Sequence, residues 1–208
     1  AKETAFQAGS TLIEQQKSAR QVQQSHNRDV KIKGDFLSET IIIDSLQQHS
    51  SFPILTEESG IIGEIDREQY LWIVDPLDGS LNYSQGIPFC CISIGLWKAN
   101  SPVLGVIYDF YRNELFSGII GEGAWLNETS IKISETKKKK EEAILCTGFP
   151  IKTDFSEKAI CRFVNQIQAY KKVRLLGSAA LSLAYVACGR VDAYIEENIM
   201  LWDVSAGC

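Results

Sequence analysis

The sequence predicts an α/β protein, a layered sandwich of helices and sheet rather than a purely parallel doubly wound sheet. Three observations carry this. The first fifty residues show helix-period apolar spacing, residues 89–128 read as successive strands broken by turn signals, and from residue 143 onward strands and helices alternate.

In order along the chain, residues 2–25 are predicted helical, with Phe6, Ala8, Leu12, Ile13 and Val22 giving a partly apolar face among Gln, Glu and Lys. Residues 29–35 alternate and then turn at Gly34, and 36–50 form a second helix with Leu37, Ile41, Ile42 and Leu46 at helical period. A short strand over 52–60 ends in acid and Gly. Another spans 70–76, and Gly79 opens a short helical turn. Strands at 89–99, 102–113 and 114–128, separated by Asn-Ser and Arg-Asn, predict an antiparallel meander. The lysine run 137–140 reads as a solvated loop. Then come a strand (143–150), a helix (154–170), a strand (171–178), a helix (179–190) stopped by Gly189, a strand (191–198) and the first turn of a helix at 202–208. The sequence begins without Met and stops abruptly at Cys208, which reads as a fragment with its C-terminal part truncated.

Composition narrows the function. The 208 residues suffice for one large domain or two fused lobes, and 45% hydrophobic with 23% charged content is ordinary for a globular chain. A net charge of −5 argues against a general nucleic-acid or membrane-surface binder, yet leaves room for a small anionic substrate held locally. The six cysteines form no C-x-x-C pair and only two histidines occur, so a zinc cluster is not expected; reduced thiols and a cytoplasmic location are. No apolar run reaches transmembrane length.

Carboxylates recur at element ends: Glu57 with Glu58, Asp75 with Asp78, Asp203, and Asp35. Two acids three residues apart at the end of an apolar strand repel, and burying either alone is costly, so a positive group is expected between them. Glu57 and Glu58, read as strand residues, point to opposite faces, so only one joins Asp75. Pro76 fixes φ and Gly79 permits a tight turn, which lets Asp75, Asp78 and the freed carbonyl of Leu77 face one point. Such an oxygen-only set suits Mg²⁺ or Mn²⁺, and an Asp shared between two ions is the usual two-metal arrangement. Each feature alone also fits a solvated pair or a plain turn, and spacing does not prove that they meet.

The segments 56–59 (TEES), 72–83 (WIVDPLDGSLNY) and 202–207 (WDVSAG) resemble, in order and spacing, the three signatures of the inositol monophosphatases, within the lithium-sensitive, magnesium-dependent phosphatase group. Residues 87–96 and 175–203 fit the same pattern, so the resemblance covers nearly the whole chain. It implies an αβαβα sandwich of the sugar-phosphatase type. It also implies a single domain over 1–208, with an N-terminal lobe to about residue 140 and an incomplete C-terminal lobe from about 141.

The resemblance further implies hydrolysis of a phosphate monoester by water activated between two metal ions. Glu57, Asp75 and the Leu77 carbonyl would hold one Mg²⁺; Asp75, Asp78 and Asp203 the second; a third, loosely held ion would lie near Glu57. Ser80 and Asp35 match the hydroxyl–carboxylate pair that orients or deprotonates the water, and the Gly79 and Ser80 N–H groups would grip phosphate. Glu196 matches the acceptor of inositol hydroxyls, and Gly177, Ser178 and Ala179 the backbone lining the sugar. A small phosphorylated polyol and a homodimer follow from the same likeness, while the charge balance leaves no nucleic-acid or membrane partner expected. Ser80 stands where Thr is commoner; the hydroxyl is kept, and it also fits a helix cap, as does Asp35. Nucleoside 3′(2′),5′-bisphosphate and fructose-1,6-bisphosphate phosphatases share the metal signatures. Leu81-Asn82-Tyr83, where the nucleotidases often carry Lys-Glu, favours the inositol branch. A non-catalytic binding protein with the same fold is the alternative from another class.

Overall fold

A computed structural model describes the chain apart from residues 27, 28, 67, 134–137, 151 and 152. The first fifty residues fold as α1 (Lys2–Glu14), α2 (Gln16–Ala19), β1 (Val22–His26), β2 (Asp29–Ile32) and α3 (Lys33–His49). Next come β3 (Ile54–Thr56), β4 (Gly60–Ile62), β5 (Tyr70–Asp78), α4 (Ser80–Gln85), β6 (Cys91–Lys98), β7 (Ser101–Asp109), β8 (Glu114–Ile119), β9 (Gly123–Leu126) and β10 (Thr129–Ile131). The last third holds β11 (Ile144–Thr147), α5 (Glu157–Ile167), β12 (Lys172–Leu175), α6 (Ala179–Ala187), β13 (Ala193–Tyr194) and α7 (Leu201–Val204).

An eight-stranded sheet, ordered β10-β9-β8-β7-β6-β5-β3-β4, runs antiparallel except where β3 pairs with β5. Strand alternation sorts its two faces. Ile92, Ile94, Val106, Tyr108 and Leu115 pack with Ala5, Ala8 and Leu12 of α1 and with Ile42 and Leu46 of α3. The alternate positions Cys91, Ile107 and Phe116 pack with Ala180, Leu181 and Ala184 of α6. A smaller parallel sheet, β12-β11-β13, lies beyond α6. α5 forms the outer layer, its Phe163 ring 4.7 Å from Phe149. The architecture is therefore the layered sandwich that the sequence predicts, in the αβαβα order that the resemblance implies.

Several elements differ from the sequence expectation. The helix expected over 2–25 ends at Ala19, and Val22–His26 pairs with β2 instead. A Gln-rich run has weak preferences, and backbone pairing with a distant strand outweighs them. Gly34 makes no turn. It lies in the first turn of α3, where a Cβ would stand 3.2 Å from the Ala19 carbonyl oxygen and 3.3 Å from Leu12 Cδ2. The strand expected over 52–60 is cut to three residues, so Glu57 and Glu58 lie in the turn after it rather than on opposite strand faces. Residues 114–128 make two strands rather than one, and the strand expected over 191–198 shrinks to Ala193–Tyr194. Of the lysine run, Lys137 lies outside the described residues; Lys138 pairs with Asp192 at 2.7 Å, and Lys139 and Lys140 are exposed.

The segment carrying Asp203 is seated by two glycines. A Cβ on Gly105 would overlap the Ala206 carbonyl, and one on Gly95 would meet Ser205 Oγ at 3.0 Å. Only a bare backbone lets this turn lie flat on the sheet, where Trp97 Nε1 donates to the Ser205 carbonyl at 3.0 Å.

Candidate active site

Between Asp75 and Asp78, β5 loses its register with β6: Asp75 pairs with Ser93 and Asp78 with Cys91. That irregularity frees the Pro76 and Leu77 peptides from the ladder. Asp75 Oδ1 accepts from Leu77 N at 3.0 Å, and Ser38 Oγ donates to the Pro76 carbonyl at 2.6 Å, so the distorted stretch is pinned from both sides. Asp78 projects into the start of α6, where Ser178 Oγ (2.6 Å), Ala180 N (2.7 Å) and Ala179 N (3.3 Å) donate to its carboxylate.

Glu57 is carried by the turn after β3, and that turn is held by a residue the sequence reading overlooked. The Glu39 carboxylate of α3 is buried and accepts from Thr56 Oγ1 (2.7 Å), Ser59 Oγ (2.6 Å), Ser59 N (3.0 Å) and Glu58 N (3.2 Å). Glu58 turns away and pairs with Lys31 at 2.5 Å. Asp203 lies in the first turn of α7 and accepts from Met200 N at 3.2 Å.

Glu57, Asp75, Leu77, Asp78, Gly79, Ser80, Gly177, Ser178, Ala179, Glu196 and Asp203 all line one cavity of about 520 Å³. Asp35 is the exception. It is buried behind the cavity wall and reaches it through Ser80, whose Oγ lies 2.5 Å from Asp35 Oδ1 and 2.8 Å from the Leu77 carbonyl. Its other oxygen accepts from Ile32 N at 2.7 Å, so Asp35 also caps α3. Ser80 is not the cap of α4; Gly79, at φ +93°, takes that position. Tyr194 donates to Glu196 Oε2 at 2.8 Å, while Glu197 is exposed and pairs with Arg162 at 3.2 Å. Lys31, Thr147, Met200 and Trp202 also line the cavity.

The acids press on one another. Burial, then the charges of Asp203, Glu58, Asp35 and Asp78, push Glu57 up to about 8. Burial followed by the Glu57 charge pushes Asp75 well above the carboxylate range. Burial and then Asp78 push Asp203 up to about 7. For Asp78, burial dominates and the bonds from Ser178, Ala180 and Ala179 pull back, leaving it at about 6. Burial likewise takes Asp35 to about 7 against the Ile32 and Ser80 hydrogen bonds.

Among the described residues, no three His, Cys, Asp or Glu side chains close tightly enough on one another to form a ready-made ion cage. The four acids line a shared cavity instead of meeting at a point. Their chemistry nevertheless fits a hard divalent cation: the donors are oxygens alone, and the mutual repulsion that raises their proton affinities falls when a cation enters.

What the sequence reading missed is polar and comes from α3. Ser38 and Glu39 occupy its buried face beside Asp35, Ile42 and Leu46. Their helical spacing was visible, but a search for apolar period passes over polar residues on the inward face.

The sequence model of the inositol monophosphatase family matches residues 1–208. The chain belongs to the inositol monophosphatase family. A Nus factor SuhB from Xylella fastidiosa is 41% identical over 175 residues, covering 83% of this chain and 62% of the relative. An inositol-1-monophosphatase from Synechocystis is 36% identical over 213 residues, covering 100% of this chain and 72% of the relative. Among solved structures, the extragenic suppressor protein suhB from Bartonella henselae superposes with a TM-score of 0.89 at 35% identity, over 99% of this chain and 80% of that one. Against the SuhB relatives from Xylella, Pasteurella and Haemophilus, this chain spans 62–65% of their length.

Proposed function

We propose that this inositol monophosphatase-family chain hydrolyses a phosphate monoester with Mg²⁺, the substrate being inositol 1-phosphate or a similar polyol phosphate. The observation that carries the reading is the convergence of Glu57, Asp75, Asp78 and Asp203 on one cavity that Glu196 also lines. Glu57, Asp75, the Leu77 carbonyl, Asp78 and Asp203 would hold the ions; Mn²⁺ suits the same donors. When bound, such ions offset the charge of the phosphate and of the departing oxygen and make a water nucleophilic near neutral pH.

The chain's own groups supply the rest. Ser80 Oγ, held between Asp35 and the Leu77 carbonyl, accepts a hydrogen bond from the attacking water. Asp35, held near 7, takes the proton that the hydroxyl relays. The oxygen–phosphorus bond to water forms as the bond to the polyol oxygen breaks, and that oxygen leaves with a proton from solvent. Glu196, steadied by Tyr194, accepts hydrogen bonds from neighbouring hydroxyls of the polyol. Residues 1–208 act in this reading as one domain, with the lobes joined near residue 140.

Release of inorganic phosphate from inositol 1-phosphate tests the reading, measured with Mg²⁺, with chelator, and with Li⁺. Activity indifferent to chelator refutes it. A panel containing fructose 1,6-bisphosphate and a nucleoside bisphosphate fixes the substrate class. A second reading, service as a Nus factor, draws on the name of the Xylella relative. A chain that binds Mg²⁺ yet releases phosphate from no ester would favour it.

A further inference from the structure

Asn82 belongs to the second signature but reaches away from the acids. Its Nδ2 donates to the Phe89 carbonyl at 2.8 Å and to the Leu176 carbonyl at 2.7 Å. An amide group has two hydrogens, so both are in use. One fixes the entry to β6; the other crosses to the loop between β12 and α6. The approach is close: a Cβ on Gly177, at φ +79°, would stand 2.9 Å from Asn82 Nδ2, and one on Gly79 would stand 3.1 Å from the Gly177 carbonyl.

The loop thus has two separate anchors. Asp78 holds the start of α6 through Ser178, Ala179 and Ala180. Asn82 holds the peptide just ahead of it. The Leu176 carbonyl and the Gly177 N–H share one peptide plane, so fixing the first aims the second. Gly177 lines the cavity and has no side chain, so whatever it offers a ligand is backbone, and its direction depends on that plane.

We propose that Asn82 is a positioning residue: by holding the Leu176–Gly177 peptide it sets the backbone that meets the alcohol part of the ester, and so determines which phosphate esters are preferred. The inference rests on the phosphatase reading above. Because Asp78 keeps its own three hydrogen bonds, loss of the Asn82 bonds falls on alcohol recognition and not on the acids.

The test uses Asn82→Asp, which keeps the shape and replaces the donor with an oxygen facing two carbonyls, and Asn82→Ser, a smaller change that covers the case in which the first variant does not fold. With Mg²⁺, KM for inositol 1-phosphate rises about tenfold while kcat stays within about twofold, and kcat/KM for p-nitrophenyl phosphate, which offers no polyol, also stays within about twofold. Calorimetric Mg²⁺ affinity is unchanged, and amide exchange at Gly177 quickens. Equal losses on the two esters, an unchanged ratio between them, or unaltered exchange at Gly177 overturns the proposal. A wild-type chain inert towards both esters with Mg²⁺ instead strikes the phosphatase reading, and this inference with it.

Discussion

The two halves of the sandwich are packed very differently. In the large sheet, β6 is buried from Cys91 to Leu96, and α1 and α3 close one face of it with fully buried Ala5, Ala8, Leu12 and Ile42. In the small sheet the central strand β11 buries Leu145, Cys146 and Thr147, but β12 beside it has no buried residue, and neither does α5, although α5 separates its polar and apolar sides clearly. The acids divide along the same line. Glu57, Asp75 and Asp78 are carried by strands or turns of the well-packed sheet, and Asp203 by the α7 turn that lies on that same sheet; Glu196 alone follows β13 of the small one. Four of the five acids that line the cavity thus stand on the side with more packing constraints, and Glu196 on the side with fewer.

The sharpest way to break this comparison is at the acids. Asp75→Asn, on the packed side, lowers metal-dependent phosphate release by at least about 10³-fold, whereas Glu197→Gln, an exposed acid of the thin half, leaves it within twofold. Assay of both variants at saturating Mg²⁺ decides; comparable losses would erase the distinction.

Packing gives the next largest effect. Ile92→Ala, at a fully buried position, lowers unfolding stability by about 2–5 kcal/mol, while Val164→Ala, 46% exposed on α5, stays within about 0.5 kcal/mol. Urea unfolding of the two variants measures this directly. A large loss at Val164 would mean that α5 is packed more tightly than its exposure indicates.

Ser80→Ala removes the hydroxyl between Asp35 and the Leu77 carbonyl and slows turnover about 10²-fold, whereas Ser80→Thr, which keeps it, stays within a few-fold. If the two variants behave alike in steady-state kinetics, the hydroxyl relay is wrong.

The smallest effect is on stability against pH. The folded chain holds Asp35, Glu57, Asp75, Asp78 and Asp203 above their ordinary values, so it binds more protons than the unfolded chain between about pH 4 and pH 8. Protein without metal therefore loses stability as pH rises through that window. Added Mg²⁺ raises the melting temperature at pH 8 more than at pH 5, because the acids must ionise to bind it. A rise that is equal at both pH values would exclude ion binding by these acids.

Much of the fold was legible because it follows periodicity. The meander from β6 to β9 announces itself by alternation and turn residues, and α6 by an apolar run that ends at Gly189. The hairpin of β1 and β2 was not legible, since nothing within 22–26 favours a strand without its partner. For the site, the D-P-x-D-G spacing at Asp75–Gly79 pointed to the acids, but Glu39 and Asn82 act through bonds to residues 17–20 and 7–94 positions away, respectively.

By itself, the sequence determined the alternating strands, the oxygen-only chemistry of the acids and the family, because these depend on residue type and short spacing. Only the tertiary structure decided that Glu57, Asp75, Asp78, Asp203 and Glu196 share one cavity and that Asp35 stands behind Ser80. Convergence of that kind depends on how sheets and helices stack, through contacts such as the Ala206 backbone on Gly105, which no local pattern encodes.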